Sequence, residues 1–254
     1  MNLPSRIHST PSARLLGASC AVIAVLFAYS SSDVLAADPD AETLKQRALA
    51  LAQSVTADDF AFTRTSRRVA TEGGKDEERV TVERFDPRQP AAQRWTLASV
   101  NGRAPTAEEL ASYNKDSATR RAPTYGRIAT YLGAPATAAA ESRGRTRYRI
   151  TALPKDSIIV NNADLSANAA AEATIDASAA VPFVEHVRFT LVKPMRVKLV
   201  AKIEKMEAST RYRLMPNGKP VPAEQVTDLT GSMLGKSGRI KTTSTYSDHR
   251  AVRD

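Results

Sequence analysis

Apolar residues follow a helical period in one early segment of the chain and a period of two after it. Asp38-Pro39-Asp40 suits a helix start, because Asp is a good N-cap and Pro fits the first turn. The apolar residues that follow at helical spacing are Leu44, Ala48, Leu51 and Val55. Alternation begins at Phe60, so the pattern predicts a helix that ends before Asp58 and a strand that runs to the turn at Gly73-Gly74.

Two further helices are predicted before residue 135. Thr106 and Glu109 form a capping-box pattern ahead of Leu110. A second helical stretch runs over residues 124–132, with Gly133 as its stop. The small residues 135–140 predict a linker.

The rest of the chain consists mainly of predicted strands and turns. Asn101-Gly102 and Pro216-Asn217-Gly218 are typical turn sequences, and residues 165–171 fit either a short helix or a loop. The predicted strands cover residues 79–85, 94–100, 143–152, 157–160, 173–177, 183–192, 197–206, 209–215, 225–233 and 239–246.

Long strands with one apolar face, and few helices, define the expected fold class. The pattern favours an α+β protein with a curved antiparallel sheet, an unclosed barrel, and a few covering helices. Such a sheet tends to enclose an apolar space; a fully packed core without a cavity is the alternative. The side chains expected to line the space are Phe60, Phe62, Trp95, Leu97, Leu110, Ile128, Phe183, Phe189, Leu191 and Leu199.

A row of arginines marks the opposite face. Arg143, Arg145, Arg147 and Arg149 occupy alternate positions, so in a strand they project the same way about 7 Å apart. Their mutual repulsion requires carboxylates or bound anions opposite them. The row is therefore either a solvated face with cross-strand ion pairs or a contact for an anionic surface of the cell envelope. Nucleic acid is not expected, since aromatic residues are not interleaved with the basic ones.

The start of the chain predicts export. Arg6 and Arg14 precede an uncharged run over residues 15–29, and Val34-Leu35-Ala36 suits signal-peptidase cleavage after Ala36. An uncleaved anchor is the alternative, but the run is shorter than the roughly 20 apolar residues that cross a bilayer. Cys20 lacks a lipobox context. Residues 1–36 are thus a predicted signal peptide. Residues 37–254 are expected to form a single periplasmic domain without a transmembrane segment.

Composition and motifs argue against catalysis. The 254 residues carry a net charge of +9 with one Cys and three His, which excludes a disulfide scaffold and a His-rich metal centre. Residues 231–235 place Ser232 too early for a nucleophile elbow. His249 is expected on the surface, and Glu185-His186 lacks a second His at ligand spacing. No enzyme activity, metal or cofactor is therefore expected, and an active site built from scattered Asp, Glu and Arg is the alternative.

Short motifs along the chain resemble an uncharacterised family of exported bacterial proteins. They are Phe85-Asp86-Pro87-Arg88, Arg94-Trp95-Thr96-Leu97, residues 100–106, Pro182-Phe183-Val184, Lys193-Pro194-Met195-Arg196 and Asn217-Gly218. The order of elements is similar to the lipoprotein-carrier (LolA-like) scaffold, in which an apolar concave face holds acyl chains in the periplasm. The resemblance implies a carrier fold and assigns no functional residue.

Two functions follow as expectations. The first is non-enzymatic binding of an apolar or lipid-like ligand by burial on the concave face of the sheet. The second is an envelope-associated interaction module that uses the basic strand face on anionic lipid, polysaccharide or a protein partner.

Overall fold

The computed structural model describes residues 39–115, 117, 120–140, 144–160, 163–197 and 201–252. The helices in these ranges are α1 (Pro39–Ser54), α2 (Ala107–Asn114) and α3 (Ile128–Leu132), the last preceded by a 3₁₀ turn. The Thr106 hydroxyl accepts a hydrogen bond from the Glu109 N–H at 3.2 Å, and the Glu109 carboxylate accepts one from the Thr106 N–H at 2.8 Å. The three expected helices and the capping box are confirmed.

Most of the described chain belongs to one curved, unclosed antiparallel sheet. The strands are β1 (Phe60–Glu72), β2 (Lys75–Phe85), β3 (Trp95–Val100), β4 (Thr137–Ala140), β5 (Arg145–Ile150), β6 (Ile159–Val160), β7 (Ala163–Asp164), β8 (Ala169–Asp176), β9 (Phe183–Leu191), β10 (Met195–Val197), β11 (Ala201–Leu214), β12 (Pro220–Met233) and β13 (Lys236–Ala251). The order of strands in the sheet is β3-β2-β1-β13-β12-β11-β9-β8-β5-β4; β10 pairs with β11, and β6 and β7 form a separate hairpin. The expected fold class is therefore confirmed.

The helices pack on one face of the sheet, which we call the helix-covered face. α1 and α3 lie over β5, β8 and β9, where small alanines of β8 allow close approach. A fully buried core fills this half. Its largest members are Tyr125, Ile128, Leu132, Tyr148, Ile150, Ile175, Val184 and Val187.

Two smaller clusters share the helix-covered face. One gathers Ile203 and Met206 of β11 with Ile158 and Leu165. The other is aromatic and sits beside α2; it contains Phe62, Phe85, Trp95 and Tyr246. Between the filled half and the aromatic cluster the register places small polar side chains. This cross-strand row begins beside Val187 of the filled core and continues through Thr210, Gln225, Ser244 and Ser66.

The opposite face, which we call the open face, carries paired charges. Arg188 donates to Glu207 at 2.9 Å across β9 and β11, and Arg239 donates to Asp228 across β13 and β12. Cross-strand pairs of opposite charge stabilise adjacent strands modestly. The charges of this face thus serve the sheet itself at these positions.

Three segments differ from the expectations. Residues 137–140 form edge strand β4 instead of a linker, because pairing with β5 outweighs the low β-propensity of alanine. Two strands are expected over 197–206 and 209–215, but residues 201–214 form one strand, β11, whose register shifts at two points. Val197 ends β10, and residues 198–200 lie outside the described ranges. Residues 165–171, which fit either a short helix or a loop by sequence, form a 3₁₀ turn at Ser166–Asn168 followed by the start of β8.

The expected signal peptide, its cleavage after Ala36, and the domain limits remain predictions, since residues 1–38 lie outside the described ranges. Within those ranges, the helices are too short or too polar to cross a bilayer.

Tyr125→Phe tests how the core is tied to the sheet. The Tyr125 hydroxyl accepts a hydrogen bond from the Val184 N–H at 2.7 Å, and both residues are fully buried. Removing the hydroxyl leaves that N–H without an acceptor, so we expect the free energy of unfolding to fall by about 1–3 kcal/mol. Urea unfolding with an unchanged m-value measures this, and unaltered stability would contradict it.

Candidate functional site

The structure divides the ten side chains that were expected to line one apolar space. Ile128 and Phe183 lie in the filled core under α1 and α3, where Phe189 packs as well. Leu191 packs in the cluster around Met206. Phe60 is buried beside Tyr125, and Leu199 lies outside the described residues. The remaining four share one place beside β3; they are Phe62, Trp95, Leu97 and Leu110.

An open groove of about 1220 Å³ lies at this end of the sheet, and we call it the aromatic groove. Phe62, Phe85, Trp95 and Leu97 line it, and Leu110 of α2 stands beside them with 38% of its surface exposed. Ligand sites in proteins usually have volumes of about 300–1,000 Å³ with mainly apolar walls and a few polar groups. The aromatic groove is large enough for an acyl chain.

Aromatic rings pack closely in the wall of the groove. The Phe62 ring has its centroid 5.7 Å from that of Trp95, 5.1 Å from Phe85 and 5.7 Å from His249. Edge and tilted contacts of this kind add to the stabilisation from burial. Trp95 and His249 therefore both pack against the Phe62 ring.

Two buried nitrogens of this wall have no hydrogen-bond partner among the described residues: Trp95 Nε1 and His249 Nε2. His249 Nδ1 lies 3.1 Å from Arg213 Nη2. Because arginine can only donate, Nδ1 of the neutral imidazole accepts, and the proton sits on Nε2. Both nitrogens are therefore unused N–H donors. Burial, and then the Arg213 guanidinium, lower the pKa of His249 to about 4, so the ring is neutral at pH 7.

An arginine network supports the groove from behind. Arg64 lies 4.3 Å over the Trp95 ring and donates to the buried Glu83 carboxylate at 2.7 Å. Arg120 lies 3.8 Å over the Tyr113 ring and 3.5 Å from the same carboxylate. Burial, and then the Glu83 charge, raise the pKa of Tyr113. The residues of this network line a second open groove of about 830 Å³. Leu97 lines both this groove and the aromatic groove.

Charged residues form the rim of the aromatic groove. A hydrogen bond from Arg88 lowers the pKa of Asp86 to about 2. Arg94 pairs with Asp58 at 3.0 Å, while Arg84 makes no ion pair with any residue in the described ranges. The rim thus offers at least one cation to a charged group that enters the groove.

The arginine row lies on the open face. Arg145 donates to both carboxylate oxygens of Glu185, and Arg149 is exposed beside it on β5. Arg147 lines an open groove of about 540 Å³ together with Glu172. Arg143 lies outside the described residues.

Sequence reasoning missed several groove residues. Phe85 ends a predicted strand, two residues after Glu83, so the strand period places both side chains on the same face of the sheet. This was the one local signal for Phe85. His249 was expected on the surface, but it is half-buried because β13 continues past Tyr246 to Ala251. Nothing local to Arg64 or Arg120 signals their shared contact with Glu83. Among the residues described, no group of three or more His, Cys, Asp or Glu is arranged to hold a metal ion.

No protein-family model matches the chain, and no curated protein matches it. The solved structures that are similar to it include the following two. A LolA superfamily protein from Nitrosomonas europaea has 12% identity and a TM-score of 0.34, with 84% of this chain and 93% of that chain covered. A DUF1329 family protein from Desulfovibrio piger has 13% identity and a TM-score of 0.36, with 83% and 92% covered. The first is a member of the superfamily that the sequence resemblance names.

His249→Gln tests the burial of the imidazole. Below pH 6.5 the unfolded chain binds a proton at His249, whereas the folded chain does so only near pH 4. The free energy of unfolding therefore falls across this window as the pH falls. We expect the variant to lose less stability than the wild type between pH 7 and pH 4. Urea unfolding at several pH values measures it, and parallel curves would contradict the depressed pKa.

Proposed function

We propose that this protein is an exported, periplasmic binding protein that holds the acyl chain of an amphiphilic ligand in the aromatic groove. The observation that supports it most is the aromatic groove itself: an open space among polar and charged residues that has Phe62, Phe85 and Trp95 at its base and the exposed Leu110 beside it. Each acyl methylene buried there contributes about 0.8 kcal/mol to binding. The proposal involves no covalent step.

The rim of the aromatic groove favours a ligand with a negatively charged head. Arg84 lines the groove, and a guanidinium forms charge-assisted hydrogen bonds with a carboxylate. A long-chain carboxylate is thus the simplest probe of this site.

Leu110→Ser tests the proposal with the chain's single tryptophan as the reporter. A fluorescent fatty acid, cis-parinaric acid, should accept energy from Trp95 in a saturable titration. Because Leu110 is already exposed, its loss should leave folding intact and weaken binding about tenfold, through the contact with the acyl chain.

Val181→Ser is the matched control, since Val181 has the same 38% exposure and does not line the aromatic groove. Its affinity should equal that of the wild type. Absence of saturable energy transfer in the wild type, or equal weakening in both variants, would contradict the proposal.

A further inference from the structure

The hairpin of β12 and β13 ends in an exposed apolar turn. Met233 pairs with Lys236, and between them Leu234 and Gly235 have φ values of 52° and 80°. We call residues 233–236 the β12–β13 tip. Met233 and Leu234 are 63% and 75% exposed, the highest values for large apolar side chains in the described ranges.

Leucine is an unfavourable residue for this turn. Among the described residues, two other two-residue turns have both φ values positive, and these use Gly73-Gly74 and Asn101-Gly102. Gly and Asn are the residues that accept this geometry, whereas a leucine Cβ is strained in it. Stability of the turn therefore does not account for Leu234.

Cations lie beside the tip on its β10–β11 side. Arg196 and Lys202 lie in one cross-strand row with Ser232, next to Met233. Lys202 pairs with Glu204 at 3.4 Å. Arg196 and Lys236 are exposed and make no ion pair with any residue that the structure describes. On the other side, Glu72 of β1 is in register with Gly238 of β13. The tip is therefore apolar at its end, with the unpaired cations Arg196 and Lys236 available to an anionic surface.

We propose that the β12–β13 tip docks on an anionic lipid bilayer, with Met233 and Leu234 inserted among the acyl chains and Arg196 and Lys236 on the head groups. Insertion of a few apolar side chains together with basic residues is sufficient for peripheral membrane binding. A stable protein partner would instead need roughly 800 Å² on each side, far more than two side chains supply.

The tip is separate from the aromatic groove. Tyr246, which packs in the aromatic cluster, and Lys236 are both on β13, and the segment between them spans about 33 Å in extended form. Membrane docking is therefore an additional property that can hold or fail independently of ligand binding.

Leu234→Asn tests the proposal without a risk to folding, because Asn is favoured at this turn position. We expect a melting temperature equal to or above that of the wild type. Co-sedimentation with vesicles of equal parts phosphatidylglycerol and phosphatidylcholine should show a partition coefficient about tenfold lower. Binding of the wild-type protein to these vesicles should also weaken when the salt concentration rises from about 0.1 M to about 1 M. It should likewise be weaker with vesicles made of phosphatidylcholine alone.

Two variants serve as controls. Val181→Asn changes an exposed apolar residue beside Gly218, at the other end of β12, and should bind vesicles like the wild type. Leu110→Ser should also keep vesicle binding, whatever its effect on fatty-acid binding. Failure of the wild type to bind anionic vesicles, or equal binding by Leu234→Asn, would overturn membrane docking. A protein partner would then be the remaining candidate for the tip.

Discussion

The structure depends on one constraint, which is that very little helix is available to cover a wide sheet. Ten strands side by side span about 43 Å. α1 has 16 residues and is about 24 Å long, and α2 has 8 residues and is about 12 Å long. Apolar side chains exposed to water are unfavourable. The helix-covered face can be apolar only where a helix or another large side chain lies over it.

The distribution of side chains follows from this constraint. Under α1 and α3 the alanines of β8 and the rings of Tyr125 and Tyr148 form a filled core. In the middle of the face, Ser66 and the buried Ser244 satisfy each other's hydroxyl groups through a hydrogen bond of 2.8 Å. Beside α2 the cover is incomplete, so aromatic residues protect one another and leave a groove. The proposed ligand would complete the cover that α2 begins.

The sequence predicts local features well and long-range contacts poorly. Alternation from Phe60 and the Thr106 capping box are local signals, and both are confirmed. Glu83 meets Arg64 and Arg120 only after β1 and β2 pair and the segment after α2 returns to the sheet, so no spacing reveals the network. Leu234 gives no turn signal because leucine is not a turn residue, and the register of β12 with β13 imposes the turn.

The most direct test of the proposed account is to locate a bound acyl chain. A fatty acid carrying a nitroxide near its end broadens the NMR signals of nearby amides. The account predicts broadening at Phe62, Phe85, Trp95 and Leu97, with none at Val184 or Val187 under the helices. Broadening centred on α1 and α3, or no site-specific broadening, would contradict it.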